Sequence, residues 1–210
     1  MTLIDELLEG GYLKTPEIIE AFKKIKRKDF VRAEDESGAE INAPLPIGGG
    51  QTISQPLTVA FMIELLQPEA GDKILDVGSG SGWATAILAE IVGSEGKVYG
   101  LERMPDLKKI GDKNVSKYNF IKKGIVKTFY GDGYKGLPDE APFDKILVSA
   151  AAEEIPAELL KQLKVGGRMV IPLGRQYETQ DIIAINKIAS GKFKEERYPG
   201  FVFVPLVKSA

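Results

Sequence analysis

Two glycine-bearing stretches hold the residue types from which a site could be built. The first, PIGGGQTISQP at Pro46 to Pro56, sets three glycines before Gln51, Thr52, Ile53 and Ser54 and ends on a helix-starting proline. Glycines allow backbone to run close to a ligand, and the Thr52 and Ser54 hydroxyls can hold a polar group. Ser54 also has a plainer use, capping the helix entered through Pro56. The second stretch, ILDVGSGSGWATAILAEIVG from Ile74 to Gly93, reads strand, glycine turn, helix. That is the order that builds a nucleotide site, and in a blander reading Gly78, Gly80 and Gly82 only make the turn.

The choice of nucleotide turns on spacing and charge. A dinucleotide loop reads G-x-G-x-x-G, whereas here the third glycine comes one residue early and Trp83 follows it. Asp76, two residues before Gly78, would repel a pyrophosphate but suits the ammonium and sulfonium of S-adenosylmethionine. Glu102, at the end of VYGLE, is placed for ribose hydroxyls in either cofactor class. Asp132 in YGDG can accept the adenine amino group, with Gly133 permitting the turn. Solvated strand-end acids are the alternative for both Glu102 and Asp132.

Composition removes several chemistries. The chain has 210 residues, long enough for one well-buried domain and short for two. With 28 basic and 30 acidic residues its formal charge is -2, so it lacks a general field for nucleic acid. It has no cysteine and no histidine, which removes thiolate nucleophiles, disulfides and the commonest general base. No metal is expected, because acids alone would have to ligate it and none has calcium-loop spacing. The start, MTLIDELLEGGYLK, has no basic leader, and no apolar run approaches a membrane span, so a cytoplasmic protein with no membrane partner is expected. A monomer is the default.

These residues need elements to position them. TPEIIEAFKKI predicts an amphipathic helix with Thr15 as cap and Pro16 at its first position. An irregular, Pro- and Gly-rich arm follows up to the GGG stretch, and LTVAFMIELL predicts a buried helix. From Lys73 short apolar runs alternate with helical patterns, the signature of a βαβ series. The fold class is therefore α/β, a Rossmann-like doubly wound, mostly parallel sheet with amino-terminal helices. DIIAINKI and FVFVPLV lack room for a crossover helix between them and are expected to pair as an antiparallel end. The expected organisation is a single domain over 1–210, with an arm and active-site segment at 1–55 and the Rossmann-like core at 56–210.

Taken together, GGGQTISQP, ILDVGSGSGWATA, VYGLER, GDG and PFDKILVSAAAEEIPAELLKQLKVGGRMVIPLG resemble the protein-L-isoaspartate O-methyltransferase family, over roughly Leu13 to Leu206. The resemblance implies a seven-stranded sheet and methyl transfer from S-adenosylmethionine to the α-carboxylate of L-isoaspartyl residues, leaving S-adenosylhomocysteine. It implies isoaspartyl-containing proteins and peptides as partners. It also implies Ser54 as the catalytic serine, with Gln51, Thr52 and Ile53 in the same segment contacting cofactor. Gly78, Ser79, Gly80 and Ser81 match the cofactor loop, Glu102 the ribose contact with Arg103 beside it, and Asp132 and Gly133 the adenine contact. Gln180 falls near another cofactor contact. Gly49 departs from the aromatic or histidine usual in the family. Alternatives are a small-molecule or RNA methyltransferase on the same fold, an NAD-binding oxidoreductase, or a binding module without catalysis. The chemistry suits the composition: a carboxylate, with a pKa of about 4, is already ionised at neutral pH and needs no base.

Overall fold

The computed structural model describes residues 2–176 and 178–208. The chain opens with α1 (Leu3–Glu9), a helix that the apolar periodicity does not announce but the capping chemistry does. The Thr2 hydroxyl accepts from the Asp5 amide at 3.2 Å, and the Asp5 carboxylate accepts from the Thr2 amide at 2.9 Å. The expected α2 spans Pro16–Lys24, with Pro16 in its first turn and Ile18, Ala21 and Phe22 buried. Thr15 is not its side-chain cap. Its hydroxyl instead donates to Glu64 at 2.7 Å, and Glu64 also accepts the Lys14 and Thr15 amides.

The arm is more ordered than its composition predicts. Two 3-10 turns (Arg27–Phe30 and Ala33–Gly38) lead to a small antiparallel hairpin of β1 (Leu45–Gly48) and β2 (Gln51–Ile53). The GGG stretch is the turn of that hairpin, with all three glycines at positive φ. α3 (Pro56–Leu66) follows, buried on most of its surface as its apolar sequence requires.

The main sheet contains β3 (Lys73–Val77), β4 (Lys97–Glu102), β5 (Val126–Tyr130), β6 (Phe143–Val148), β7 (Leu163–Leu173), β8 (Gln180–Ala189) and β9 (Lys192–Phe201), in the order β5-β4-β3-β6-β7-β8-β9. The first five in chain order pair in parallel and β8 runs against its two neighbours. Crossovers include α4 (Trp83–Val92), α5 (Pro105–Ser116) and α6 (Ala157–Gln162). Alternation along each strand divides the core in two. Ile74, Val98 and Leu147 pack with α1 to α4 on one face, whereas Leu75, Leu101 and Ile146 pack with Leu159 of α6 on the other.

The antiparallel end differs from expectation in one strand. β8 pairs with Lys192–Phe201, and FVFVPLV contributes only Phe201 to the ladder. An outermost strand with solvent beside it tolerates charge, so KFKEERY can be a strand although it is polar. The apolar residues after Phe201 lie elsewhere, across the carboxyl ends of the parallel strands. No helix among the described residues is long and apolar enough to cross a membrane.

Candidate active site

Strand order reverses at β3, with β4 on one side and β6 on the other, and a cleft opens at their carboxyl ends. Ligand crevices in open α/β sheets form at this kind of switch point. The turn from β3 into α4 makes its floor. The Gly78 amide donates to the Leu101 carbonyl at 2.8 Å, which ties the turn to β4. Gly82 answers the odd glycine spacing: at φ 88°, a Cβ there would lie 2.7 Å from Val115 of α5. Its task is close packing of the turn against a neighbouring helix.

Glu102 ends β4 inside the cleft and is only 6% exposed, so it is no solvated strand end. One carboxylate oxygen accepts from the Gly80 amide at 3.0 Å and the other from the Met104 amide at 2.8 Å. Each oxygen keeps a further lone pair for a ligand hydroxyl. Arg103 lines the same cleft, as do Ser79, Ser81 and Gly133.

Three predicted contacts stand differently. Asp76 does not line the cleft; the strand alternation turns it towards α4, where it is fully buried. Thr85 donates to its Oδ2 at 2.5 Å and its Oδ1 has no partner among the described residues. Burial pushes this carboxyl up to about 6, against the Thr85 hydrogen bond and with some help from the Glu102 charge. Asp132 also lies behind the lining, between Gly131 and Gly133, and accepts from the Tyr134 amide at 2.9 Å to shape that turn. Gln180 is not brought to the cleft. Its amide is spent on the Arg175 carbonyl (3.1 Å) and the Phe203 amide (2.6 Å), which fastens the carboxyl-terminal segment to the sheet.

A second cavity adjoins the first. Gln51, Thr52, Ser54, Ser149, Val204 and Pro205 line both, so these residues form a shared wall. Ile53 lines the first only, as its alternation with Thr52 and Ser54 requires. Among the described residues, no acidic or basic side chain lines the second cavity. The helix α3 begins after Gln55 without a side-chain cap at that residue, and its Leu57 amide donates to Asn42 at 3.0 Å. Ser54 is therefore not spent on the helix start.

Sequence reasoning reads the SAAA run as a strand end facing the cofactor but does not name Ser149 as a site residue, nor the segment after Phe201 as part of the site. Ser149 follows β6, and its amide donates to the Val77 carbonyl at 2.9 Å; the small-residue run SAAA is its only signal. Residues 202–207 pass over both cavities, held where Ala151 donates to the Val204 carbonyl and Leu206 donates back to Ala151. Gly49 sits at φ 59°, where a Cβ would collide with the end of Met104. Met104 fills the place a larger residue would take, and it lines the first cleft.

The donor set tests what the first cleft fits. Two acids, Asp76 and Glu102, stand at the ends of adjacent strands, with one buried carboxylate oxygen unpartnered. That charge suits a cationic nucleoside such as S-adenosylmethionine and opposes a pyrophosphate.

Comparison with known proteins agrees. Residues 1–210 match the family described as Protein-L-isoaspartate(D-aspartate) O-methyltransferase (PCMT). The chain belongs to the PCMT family. A protein-L-isoaspartate O-methyltransferase of Methanopyrus kandleri is 43% identical over 205 residues, covering 98% of this chain and 89% of the relative. One from Ignicoccus hospitalis is 44% identical over 206 residues, covering 98% and 96%. Among solved structures, a Plasmodium falciparum PCMT in complex with S-adenosyl-L-homocysteine superposes with a TM-score of 0.88 at 26% identity, covering 99% of this chain and 97% of that one. The PCMT match also covers α1 and the hairpin, so the arm is part of what the family shares.

Proposed function

We propose that this chain methylates the α-carboxylate of L-isoaspartyl residues in damaged proteins and peptides, using S-adenosylmethionine and leaving S-adenosylhomocysteine. The observation that carries the reading is the shared wall: a cleft suited to a cationic nucleoside and a second, uncharged cavity meet at Gln51, Thr52, Ser54 and Ser149. Residues 1–210 act as one domain, since α1 and α2 share the core of the sheet. The enzyme works as a cytoplasmic monomer on polypeptides, its charge of -2 giving nucleic acid no general attraction.

In this reading, Glu102 takes the ribose, with Arg103 at the mouth, and the Gly78–Ser81 backbone lies along the nucleoside. Gly133 lets the adenine approach, beside a turn held by Asp132. Asp76 contributes charge from behind the loop. Bound there, S-adenosylmethionine supplies a methyl group made electrophilic by its sulfonium. The chain's own work is placement. Ser54 donates a hydrogen bond to one carboxylate oxygen, leaving the other free to face the cofactor cleft, and holding two reactants in such contact can supply a large share of the rate.

The lack of charge in the peptide cavity has a catalytic logic. The substrate carboxylate loses its charge as it becomes an ester. A lysine or arginine beside it would stabilise the reactant more than the transition state and so slow the step. Neutral hydroxyls orient the carboxylate without that penalty. No residue needs to remove a proton, which accords with a chain that has no histidine.

The deciding experiment compares methyl transfer to an isoaspartyl peptide and to its aspartyl counterpart. The extra backbone methylene relocates the carboxylate, so transfer is expected to the first and not to the second. Equal methylation of both would overturn the repair reading.

A further inference from the structure

Arg27 is 2% exposed, yet no ion pair holds it among the described residues. Its guanidinium is spent on carbonyls. Nη1 donates to Ala39 (2.9 Å) and Ile41 (3.2 Å), and Nη2 donates to Ala43 (2.8 Å) and Ser54 (3.2 Å). The same group lies 5.4 Å from the ring centre of Trp83, which lines the cofactor cleft. Burial lowers its affinity for a proton, to about 10, with Glu40 favouring the charge through space, so it remains a cation at neutral pH.

A buried cation held only by carbonyls through Nη1 and Nη2, with its Nε left without a partner among the described residues, is costly, and an apolar side chain would fill such a site more cheaply. What the guanidinium provides is a planar fork that fixes several acceptors at once. Three of its acceptors belong to the strap at 39–43 that lies against the start of α3, and the fourth is Ser54. Two further contacts join the strap to α3. Gln55 Nε2 donates to the Asn42 carbonyl at 3.0 Å, and the Leu57 amide donates to Asn42 Oδ1 at 3.0 Å.

We propose that Arg27 is a positioning residue for methyl transfer: by holding the Ser54 carbonyl against the 39–43 strap, it fixes the Ser54 hydroxyl at the wall between the two cavities. This rests on the role given to Ser54 above. Arg27 touches neither reactant. It acts through backbone, as a brace whose loss would let Ser54 drift, and misplacement of a positioned group by about 1 Å can cost on the order of 100-fold in rate.

The test is a four-enzyme cycle of wild type, Arg27→Lys, Ser54→Ala and the double variant, measured for isoaspartyl methyl transfer and for S-adenosylhomocysteine affinity. Lysine keeps the charge and loses the fork. Arg27→Lys is expected to lower turnover by roughly 10- to 100-fold, with affinity changed by less than about 2-fold. In the Ser54→Ala background the same change is expected to cost less than about 2-fold, because residues that act as a unit are not additive. An equal loss in both backgrounds would overturn the proposal, as would unchanged turnover, or a loss confined to cofactor affinity. If Ser54→Ala by itself leaves turnover intact, the role of Ser54 fails first and the brace falls with it, and that outcome is visible in its own arm. Emission of Trp83, the chain's single tryptophan, reports folding beside Arg27. Should Arg27→Lys not fold, Asn42→Ala loosens the same strap. It is expected to lower turnover by about 3- to 10-fold in the native background and not with Ser54→Ala, and parity between backgrounds would overturn the proposal.

Discussion

The Thr85 hydroxyl donates to Asp76 Oδ2 at 2.5 Å, while the other oxygen of that buried carboxylate has no partner among the described residues. Threonine in the first turn of α4 thus fixes the orientation of an acid at the end of β3 and leaves half of it unsatisfied. Burial, the largest effect, raises this carboxyl from 3.8 to about 6. A bound cation favours the ionised form, so S-adenosylmethionine affinity should weaken as pH falls below about 6. The slope should approach a factor of about ten per pH unit at most, one proton being involved. Calorimetric titrations at several pH values, on wild type and Asp76→Asn, check this: the variant should lose the dependence.

The same group links stability to pH with a defined sign. Its folded pKa lies above its unfolded one, so the folded protein holds an extra proton between 3.8 and about 6. The stability from that proton is present at low pH and is lost as pH rises through about 6. Ligand-free Asp76→Asn should therefore gain in melting temperature relative to wild type at pH 7.5, and gain less at pH 5. Other carboxylates titrate in this range too, so the difference between the two proteins, followed by thermal unfolding, is the quantity to measure.

Ser54→Ala should lower turnover by roughly 10- to 1000-fold, through lost placement of the carboxylate against the methyl donor. Stability should hardly change, because the α3 amide at Leu57 is met by Asn42. Turnover and unfolding measured on one preparation separate the two. A lowered melting temperature with turnover intact would return Ser54 to a structural role.

Glu102→Ala should weaken S-adenosylmethionine binding by about 1 to 3 kcal/mol, the cost of unpaired ligand hydroxyls in a partly buried site. The substitution also frees the Gly80 and Met104 amides. Glu102→Gln is the control for shape, and it should keep part of the affinity. Dissociation constants for both variants check the order.

Thr52→Lys should tighten binding of an isoaspartyl peptide and slow its methylation. Thr52 is an exposed member of the wall shared by the two cavities, and among the described residues no charged side chain lines the second of them. A lysine there would stabilise the carboxylate before it loses its charge. Steady-state kinetics should give a lower KM with a lower kcat, whereas an unchanged kcat would remove the catalytic account of the uncharged cavity.

Much of the fold and of the candidate site was legible because it depends on local pattern. The Gly78–Gly82 turn, the acids ending β3 and β4, and the Gln51–Ser54 segment are each readable within one stretch of chain. What escaped depends on partners far away in sequence. Thr15 looks like a cap until Glu64 takes its hydroxyl, 49 residues on. Gln180 looks available until Phe203 claims it, 23 residues later. Asp76 sits at the expected strand end, but only the facing α4 makes it a buried acid rather than a lining one. The last strand escaped for a different reason. Apolarity points to FVFVPLV as strand, yet these residues are apolar because they roof a cavity, and the polar segment before them takes the edge.

That edge bears on the company an enzyme of damaged proteins keeps. An outermost strand offers unpaired backbone groups to any extended chain nearby. β9 carries Lys192, Lys194, Glu195, Glu196 and Arg197, with Pro199 towards its end, and Arg197 faces Asp181 and Glu195 along the surface. A partly unfolded substrate that tried to add an eighth strand would have to strip water from these charges and would find no amide on the proline. The border of the sheet thereby resists co-aggregation with the very polypeptides the enzyme must handle.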